Sequence, residues 1–143
     1  MTTSRPLPVP DDLSAPYWAA AARHELALAR CARCARFDIP PGLTCSHCGT
    51  TDPAYRFERV SGRGVVRSWT IVRRASSVGF AGEVPYLLVD IELDEQPGLR
   101  MIGRLLDGPD TELAEGLAVQ VAFEDIAAGT AIPAFTVAPR RPS

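Results

Sequence analysis

The stretch Cys31-Ala-Arg-Cys34-Ala-Arg-Phe-Asp-Ile-Pro-Pro-Gly-Leu-Thr-Cys45-Ser-His-Cys48-Gly49 decides the fold of this chain. It contains all 4 cysteines of the sequence, in two C-x-x-C pairs. A C-x-x-C turn directs two thiolates to one point, so two facing turns complete the tetrahedral sulfur site of a closed structural zinc centre. We therefore predict one zinc ion, or iron in a rubredoxin-like site, bound by Cys31, Cys34, Cys45 and Cys48.

Two other interpretations of the cysteines remain open, namely two disulfides or four unrelated buried thiols. Metal binding is favoured because both pairs share one compact segment and nothing else in the sequence suggests secretion. Four sulfurs would fill the coordination shell, so the metal is expected to stabilise the fold and not to catalyse a reaction. His47 lies inside the second pair and is interpreted as a loop side chain.

The length of 143 residues predicts one ordinary domain, or two small domains that share a surface. No apolar run approaches the roughly 20 residues that cross a bilayer, so no membrane span is expected. The first residues lack the apolar segment of a signal peptide, which predicts a cytoplasmic protein.

Charge is distributed unevenly along the chain. Between Arg23 and Arg74 there are ten arginines and four acids, whereas eleven acids and two arginines lie between Glu83 and Asp125. This asymmetry predicts that the first half meets an anionic partner, although two solvated faces would explain it equally. The net charge of −2 argues against a general nucleic-acid binder.

The N-terminal part is predicted to be a disordered arm, residues 1–13, followed by a helix. Ser14 is the expected cap, Pro16 falls in the first turn and the helix continues to Glu25. Two interpretations of its apolar face remain open: packing on the core of the protein, or docking on a partner through large aromatics. The residues of that face are Tyr17, Trp18, Ala21 and Ala22.

The next segment predicts a ribbon. Leu26 to Arg30 alternates as a first strand, Phe37 and Ile39 begin the return, and Pro40-Pro41-Gly42 turns the chain toward the second cysteine pair. Gly49 suits the left-handed position that follows a metal knuckle, and Ala35 occupies the same place after the first pair.

From residue 54 onward the pattern is all-β. Alternating or apolar segments predict strands at 55–60, 65–74, 87–93, 99–105, 117–123 and 132–137, with a turn or short helix at 107–115. Short antiparallel strands, one long and one with a central glycine, favour a small five-stranded closed barrel of the oligonucleotide/oligosaccharide-binding (OB) type. The expected architecture is mostly β: arm 1–13, helix and zinc ribbon 14–53, barrel 54–139 and tail 140–143.

No catalytic constellation is visible in the sequence. The two histidines, His24 and His47, lie near no serine or acid that would form a triad. The glycines of 61–64 resemble a phosphate-binding loop only weakly. A solvated face accounts for the remaining acids, Asp90, Glu92, Asp94 and Glu95, so the residues indicate a binding module that is not an enzyme on its own.

The order of these features resembles one family. An aromatic-bearing helix, C-x-x-C, a Pro-Pro turn and C-x-x-C-G precede the strands S-G-R-G-V-V-R-S-W-T, P-Y-L-L-V-D-I-E-L-D-E and G-L-A-V-Q-V-A-F-E-D. This arrangement, over about residues 14–138, is similar to the zinc-ribbon/OB-fold acyl-CoA-associated proteins, a family long labelled a domain of unknown function. The resemblance implies an accessory subunit of a thiolase-like enzyme, such as an acyltransferase, a hydroxymethylglutaryl-CoA synthase or an aldolase that shortens steroid side chains.

The leading hypothesis is therefore a non-catalytic partner of a thiolase-like enzyme that also helps to bind acyl-CoA. Arginines would contact the phosphates and an aromatic surface the remainder of the ligand. The candidate acyl-CoA residues are Arg67, Trp69, Arg73, Arg74 and Phe80, and either aromatic could equally belong to the core. The candidate partner interface comprises Tyr17, Trp18, Arg33 and Arg36.

Two alternative functions remain open. A single-stranded nucleic-acid binder would use aromatic stacking and basic residues on an OB face, but the acidic second half argues against it. An independent small-molecule enzyme ranks last because no catalytic constellation is visible.

Overall fold

A computed structural model describes residues 5–139, so the predicted tail 140–143 and the first four residues of the predicted arm lie outside the described residues. The described part is mostly β with one short N-terminal helix, which confirms the predicted fold class. In chain order the elements are α1 Ala15–Ala22, β1 Ala27–Arg30, β2 Phe37–Asp38, β3 Arg56–Arg59, β4 Arg63–Val72, β5 Tyr86–Leu93, β6 Arg100–Arg104, β7 Ala118–Ala127 and β8 Thr130–Val137.

Helix α1 ends three residues earlier than predicted. His24 takes a left-handed conformation with φ of 59°, which stops the helix. The His24 amide donates to the Ala21 carbonyl at 2.8 Å, and the Glu25 amide donates to the Ala20 carbonyl at 3.0 Å. These are the paired hydrogen bonds of a Schellman motif, with histidine in the place that glycine usually takes.

The start of α1 also differs from the prediction. The Ser14 side chain makes no capping hydrogen bond to the helix. Instead the Ser14 amide donates to Asp11 Oδ1 at 2.7 Å, and the Asp11 amide donates to Ser14 Oγ at 3.0 Å. A tight turn over 12–14 precedes the helix. Asp11, at the start of this turn, therefore supplies the side-chain acceptor that the sequence predicted at Ser14.

The ribbon is a three-stranded antiparallel sheet in the order β2-β1-β3. Strand β3 was predicted to be the first barrel strand, but Leu28 of β1 pairs with Glu58 of β3 in the ribbon sheet. Alternation alone shows that a strand has a buried face; it does not show which neighbouring strand accepts its backbone hydrogen bonds. The first predicted barrel strand is thus corrected to a ribbon strand.

The barrel contains five antiparallel strands in the order β6-β5-β4-β7-β8. Leu105 and Phe135 form a parallel bridge between the two ends of this sheet, and the Leu106 amide donates to the Phe135 carbonyl at 2.9 Å. These contacts close the sheet into the expected OB-type barrel. Closure leaves the sheet without unpaired edge strands. Residues 107–115 contain turns and no helix.

Strand β4 contains a bulge at Arg67. Val66 pairs with Ile91 and Ser68 pairs with Asp90, so Arg67 is the extra residue. Before the bulge β4 pairs with both β5 and β7, whereas after it the strand pairs with β5 alone among the described residues. Trp69 and Ile71 follow the bulge and are exposed.

Ribbon and barrel share one hydrophobic core. Leu26, Leu28 and Phe37 from the ribbon segment belong to the same buried cluster as Ile91 and Phe135 of the barrel. Helix α1 packs against β1 and β8. Its buried residues are Ala20 and Ala21, while Ala22 is exposed. The predicted apolar face is therefore corrected: Ala20 belongs to it and Ala22 does not.

Candidate metal centre and binding surfaces

The two cysteine knuckles have the same local geometry. The Ala35 amide donates to the Cys31 carbonyl at 2.8 Å, and the Gly49 amide donates to the Cys45 carbonyl at 3.0 Å. Both closing residues are left-handed, with φ of 64° at Ala35 and 76° at Gly49. The first knuckle therefore adopts the glycine-type conformation although alanine occupies the position, and an L side chain there is strained.

Each knuckle also directs a backbone amide at its first sulfur. The Arg33 amide lies 3.4 Å from Cys31 Sγ, and the His47 amide lies 3.4 Å from Cys45 Sγ. Amide donors of this kind favour the thiolate over the thiol. Each turn thus places a hydrogen-bond donor beside its first sulfur.

The four sulfurs converge on one point. All of them lie within 4.8 Å of one another. Across the two knuckles, Cys34 Sγ is 3.7 Å from Cys45 Sγ and Cys31 Sγ is 3.9 Å from Cys48 Sγ. A tetrahedral ion with metal–sulfur bonds of about 2.3 Å requires sulfurs about 3.8 Å apart. The described thiols are free in this structure, and the spacing of their sulfurs matches a shared metal site.

The thiols influence one another's ionisation. Amides of Cys48 and His47 lower the pKa of Cys45 to about 6. The Arg36 amide favours the thiolate of Cys34, but burial and the neighbouring cysteines outweigh it and raise the pKa of that thiol to about 11. Four thiolates packed this closely repel each other, so the arrangement fits a divalent cation that neutralises part of the charge.

Asp38 supports the second knuckle, a role that the sequence pattern did not predict. Its carboxylate is buried, with 8% of the residue exposed. It accepts hydrogen bonds from the Ser46 hydroxyl at 2.8 Å, the Ser46 amide at 3.2 Å and the Tyr55 hydroxyl at 3.4 Å. Burial and the negative charge of Asp38 raise the pKa of Tyr55. In the sequence, the signal for this role is the acidic Asp38 between the apolar residues Phe37 and Ile39, close to the second cysteine pair.

His47 lies outside the sulfur cluster. Its Nε2 is 3.0 Å from the Phe37 carbonyl, so its ring holds the second knuckle against β2. Arg33 of the first knuckle reaches Asp52 after the second, with its guanidinium 2.6 Å from Asp52 Oδ2. These contacts join the two knuckles around the sulfur site.

The candidate acyl-CoA residues fall into two groups. Arg67 pairs with Glu92 at 3.0 Å, and Phe80 lies under the Arg5 guanidinium at 5.5 Å, so both side chains are engaged within the chain. Trp69 is 45% exposed on β4. Arg73 and Arg74 come directly after the end of β4 and are exposed. Neither forms an ion pair with any residue in 5–139.

The candidate partner residues lie around one cleft and the nearby first knuckle. Tyr17 and Trp18 line an apolar cleft of about 280 Å³ between α1 and the ribbon. Their rings meet edge to face with centroids 4.9 Å apart, and burial raises the pKa of Tyr17 to about 12. Arg36 is exposed, whereas Arg33 is held by Asp52.

The remaining histidine has a structural contact. His24 Nε2 lies 2.7 Å from Asp125 Oδ1, and its ring stacks on Phe123 with centroids 5.3 Å apart. This contact fastens the end of α1 to β7. Within the described chain, no serine hydroxyl bonds to His24, so the pair does not form a triad.

The ribbon and barrel define the class of this protein: a zinc-ribbon/OB-fold protein. Two family models match it, the ChsH2 rubredoxin-like zinc ribbon domain over residues 18–54 and the ChsH2 C-terminal OB-fold domain over residues 57–124. The chain belongs to the ChsH2 family, which confirms the resemblance stated from the motifs.

Solved structures agree with this assignment. A chain of the structure described as "Ltp2-ChsH2(DUF35) aldolase" is similar over 91% of this chain and 98% of that chain, with 27% identity and a TM-score of 0.76. A DUF35 protein of unknown function from Sulfolobus solfataricus is similar over 89% of this chain and 86% of that chain, with 13% identity and a TM-score of 0.57, which shows the fold alone. No curated protein sequence matches the chain significantly. None of the helices in residues 5–139 is long and apolar enough to cross a membrane.

Proposed function

We propose that this chain is a non-catalytic accessory subunit of a thiolase-like enzyme, an aldolase or acyltransferase that acts on acyl-CoA. The observation that carries the proposal is the likeness, across nearly the whole of both chains, to a chain of the Ltp2-ChsH2(DUF35) aldolase. The shortening of a steroid side chain is the reaction that the family resemblance suggests. A cytoplasmic location remains a prediction.

The metal has a structural role in this proposal, and zinc is the ion we propose. Cys31, Cys34, Cys45 and Cys48 would hold it, and its charge would offset the repulsion among their thiolates. Four sulfur ligands leave no position for water or substrate, so a closed site of this kind supplies stability and no Lewis-acid step. Iron would fit the same sulfur geometry.

A second part of the proposal concerns the ligand. Acyl-CoA would be contacted by the exposed end of β4 and the residues that follow it. Trp69 offers an exposed ring, and Arg73 and Arg74 offer guanidinium groups that can pair with phosphate oxygens. Arg67 and Phe80, the other two candidates, would shape this surface through the internal contacts described above.

Co-purification tests the first part. The tagged chain and a thiolase-like enzyme from the same host are expected to elute as one complex of fixed stoichiometry, with one zinc ion for each copy of the chain. Elution of the two proteins as separate species at micromolar concentration would overturn the proposal.

Replacement of the exposed arginines tests the second part. Arg73→Ala with Arg74→Ala is expected to raise the KM for acyl-CoA, because a charged hydrogen bond contributes about 1.5–3 kcal/mol. Arg56→Ala is the control, since Arg56 is also exposed and has no ion pair in the described residues. An equal KM in both variants would contradict the assigned surface.

A second candidate function, single-stranded nucleic-acid binding, is favoured by the exposed Trp69 and the adjacent arginines on an OB barrel. Measurement of oligonucleotide binding at two salt concentrations separates the candidates. We expect no specific binding, and tight binding with a steep salt dependence would favour this alternative.

A further inference from the structure

The cleft between α1 and the ribbon, which we call the α1–ribbon cleft, has aromatic and aliphatic walls. Tyr17, Trp18 and Phe57 contribute rings, and Ile39 and Pro40 contribute aliphatic surface. Its volume of about 280 Å³ lies just below the roughly 300–1,000 Å³ of small-molecule sites. A cleft of this size accommodates one large side chain more readily than a whole cofactor.

One buried charge lines this apolar cleft. Asp38 is the charged residue among the described residues that form its wall. The carboxylate accepts hydrogen bonds from the neutral donors Ser46 and Tyr55. Over residues 5–139, no arginine or histidine nitrogen lies within 4 Å of it. The carboxylate therefore has hydrogen-bond donors but no cation beside it, and a cationic ligand in the cleft would add the opposite charge.

The aromatic walls favour the same kind of ligand. Tyr17 and Trp18 present their rings edge to face, and a cation is attracted to the face of an aromatic ring within about 6 Å of its centroid. Asp12 lines a recess that shares Leu13 and Phe57 with the cleft, so the rim is acidic as well. Hydrogen bonds from Ser14 hold the pKa of the neighbouring Asp11 below its usual value.

We propose that the α1–ribbon cleft binds an arginine side chain presented by the thiolase-like partner. The inference rests on the proposed function and names the chemistry of the docking contact. A guanidinium is planar, stacks on aromatic rings and is less strongly hydrated than an ammonium, while its aliphatic stem suits apolar walls. Aromatic and arginine residues are also the groups that most often dominate protein interfaces.

A titration of the isolated, zinc-loaded chain tests the chemistry. The probes are N-acetyl-arginine methylamide and its neutral isostere N-acetyl-citrulline methylamide. Trp18 fluorescence is followed in a Trp69→Phe background, because the chain has 2 tryptophans. The arginine probe is expected to give a saturable change, at least fivefold tighter than the citrulline probe. Equal binding of both probes, or no saturable change, would overturn the proposal.

Two variants locate the contact. Trp18→Leu keeps apolar bulk and removes the ring, and Asp38→Asn keeps an acceptor for Ser46 and removes the charge. Because Trp18→Leu removes the fluorophore, the wild-type chain and both variants are compared by isothermal titration calorimetry, and each variant is expected to bind the arginine probe at least fivefold more weakly. Zinc content is measured in both, because Asp38 also supports the second knuckle. Wild-type affinity in the zinc-replete variants would overturn the assignment.

Affinity for the thiolase-like enzyme tests the docking role. Trp18→Leu and Asp38→Asn are expected to raise the Kd of the complex at least tenfold. Ile102→Ser, on the 67% exposed Ile102 of β6, is expected to leave it unchanged. An unchanged Kd in all three variants would overturn this inference. The complex would still form in that case, so the proposed function would stand. Failure of the proposed function would appear instead as no complex with the wild-type chain, and the probe titration would still decide the chemistry of the cleft.

Discussion

Asp38 of strand β2 accepts a hydrogen bond of 2.8 Å from the hydroxyl of Ser46, which lies between two metal-site residues in the second knuckle. The same carboxylate accepts from the Ser46 amide at 3.2 Å. One buried side chain therefore connects the ribbon sheet to the sulfur cluster. Substitution of a group that holds metal-site residues in place commonly lowers metal affinity by about 10–100-fold.

Removal of this carboxylate is expected to weaken the ribbon. In Asp38→Ala the free energy of unfolding should fall by about 1–3 kcal/mol, because the hydrogen bonds that the buried carboxylate accepts from Ser46 and Tyr55 are lost. Zinc affinity should fall about tenfold or more. Glu58→Ala is the matched control, since Glu58 forms an exposed ion pair with Arg30 worth about 0–1 kcal/mol. Urea unfolding and a competitive chelator titration measure the two effects, and equal losses in both variants would argue against a supporting role for Asp38.

The left-handed alanine of the first knuckle offers a stabilising substitution. Ala35 has φ of 64°, a conformation that costs a non-glycine residue about 1–2 kcal/mol. Glycine loses about 0.5–1 kcal/mol through chain entropy, so Ala35→Gly should stabilise the fold by up to about 1.5 kcal/mol. Ala32→Gly, three residues earlier in the same knuckle and without a left-handed φ, should destabilise the fold. A lower urea midpoint for Ala35→Gly than for Ala32→Gly would contradict the strain assigned to this knuckle.

A close approach at the barrel end predicts a steric penalty. A Cβ at Gly103 would lie 2.9 Å from two ring carbons of Phe135. Gly103→Ala should therefore cost about 1–3 kcal/mol of stability through overpacking. Gly82→Ala serves as the control, because a Cβ at Gly82 would meet nothing within 4 Å and its φ is not left-handed. Thermal melts of the two variants should separate clearly, and matching melting temperatures would mean that the barrel end repacks freely.

The ion pair at the bulge predicts a dependence on pH. The hydrogen bond from Arg67, aided by the Gly98 amide, holds the pKa of Glu92 below its usual value. The stability that this pairing contributes is present above the usual carboxyl pKa and is lost as the pH falls through the lowered value. In Arg67→Met, the pKa of Glu92 measured by NMR should rise toward its ordinary value. Arg56→Met should leave it unchanged, and a rise of the same size in both would remove Arg67 as the cause.

The clustering of the four sulfurs was readable from the sequence because a C-x-x-C pair constrains its own geometry. Each knuckle closes through contacts among neighbours, such as the Ala35 amide with the Cys31 carbonyl, so spacing alone predicts the sulfur arrangement. The alternation of Leu87, Val89, Ile91 and Leu93 likewise predicted β5, whose residues alternate between buried and half-buried. Local patterns were sufficient where local contacts decide the structure.

Nonlocal contacts were not readable in this way. Strand β3 joined the ribbon because Ala29 pairs with Phe57, a choice of neighbour that no pattern within either strand encodes. Arg67 seemed available to a ligand, yet its partner Glu92 lies on the adjacent strand, across a bulge that shifts the register. The role of Asp38 depends on Ser46 and Tyr55 meeting it from two other segments.

The central claim is that this chain contributes a scaffold to an active site that it does not itself possess. Turnover of an acyl-CoA substrate by the zinc-loaded chain, by the thiolase-like enzyme and by their complex tests that claim most directly. We predict turnover at an ordinary enzymatic rate, on the order of 1 s⁻¹ or faster, in the complex and a large loss when this chain is removed. Such turnover by the zinc-loaded chain alone would contradict it.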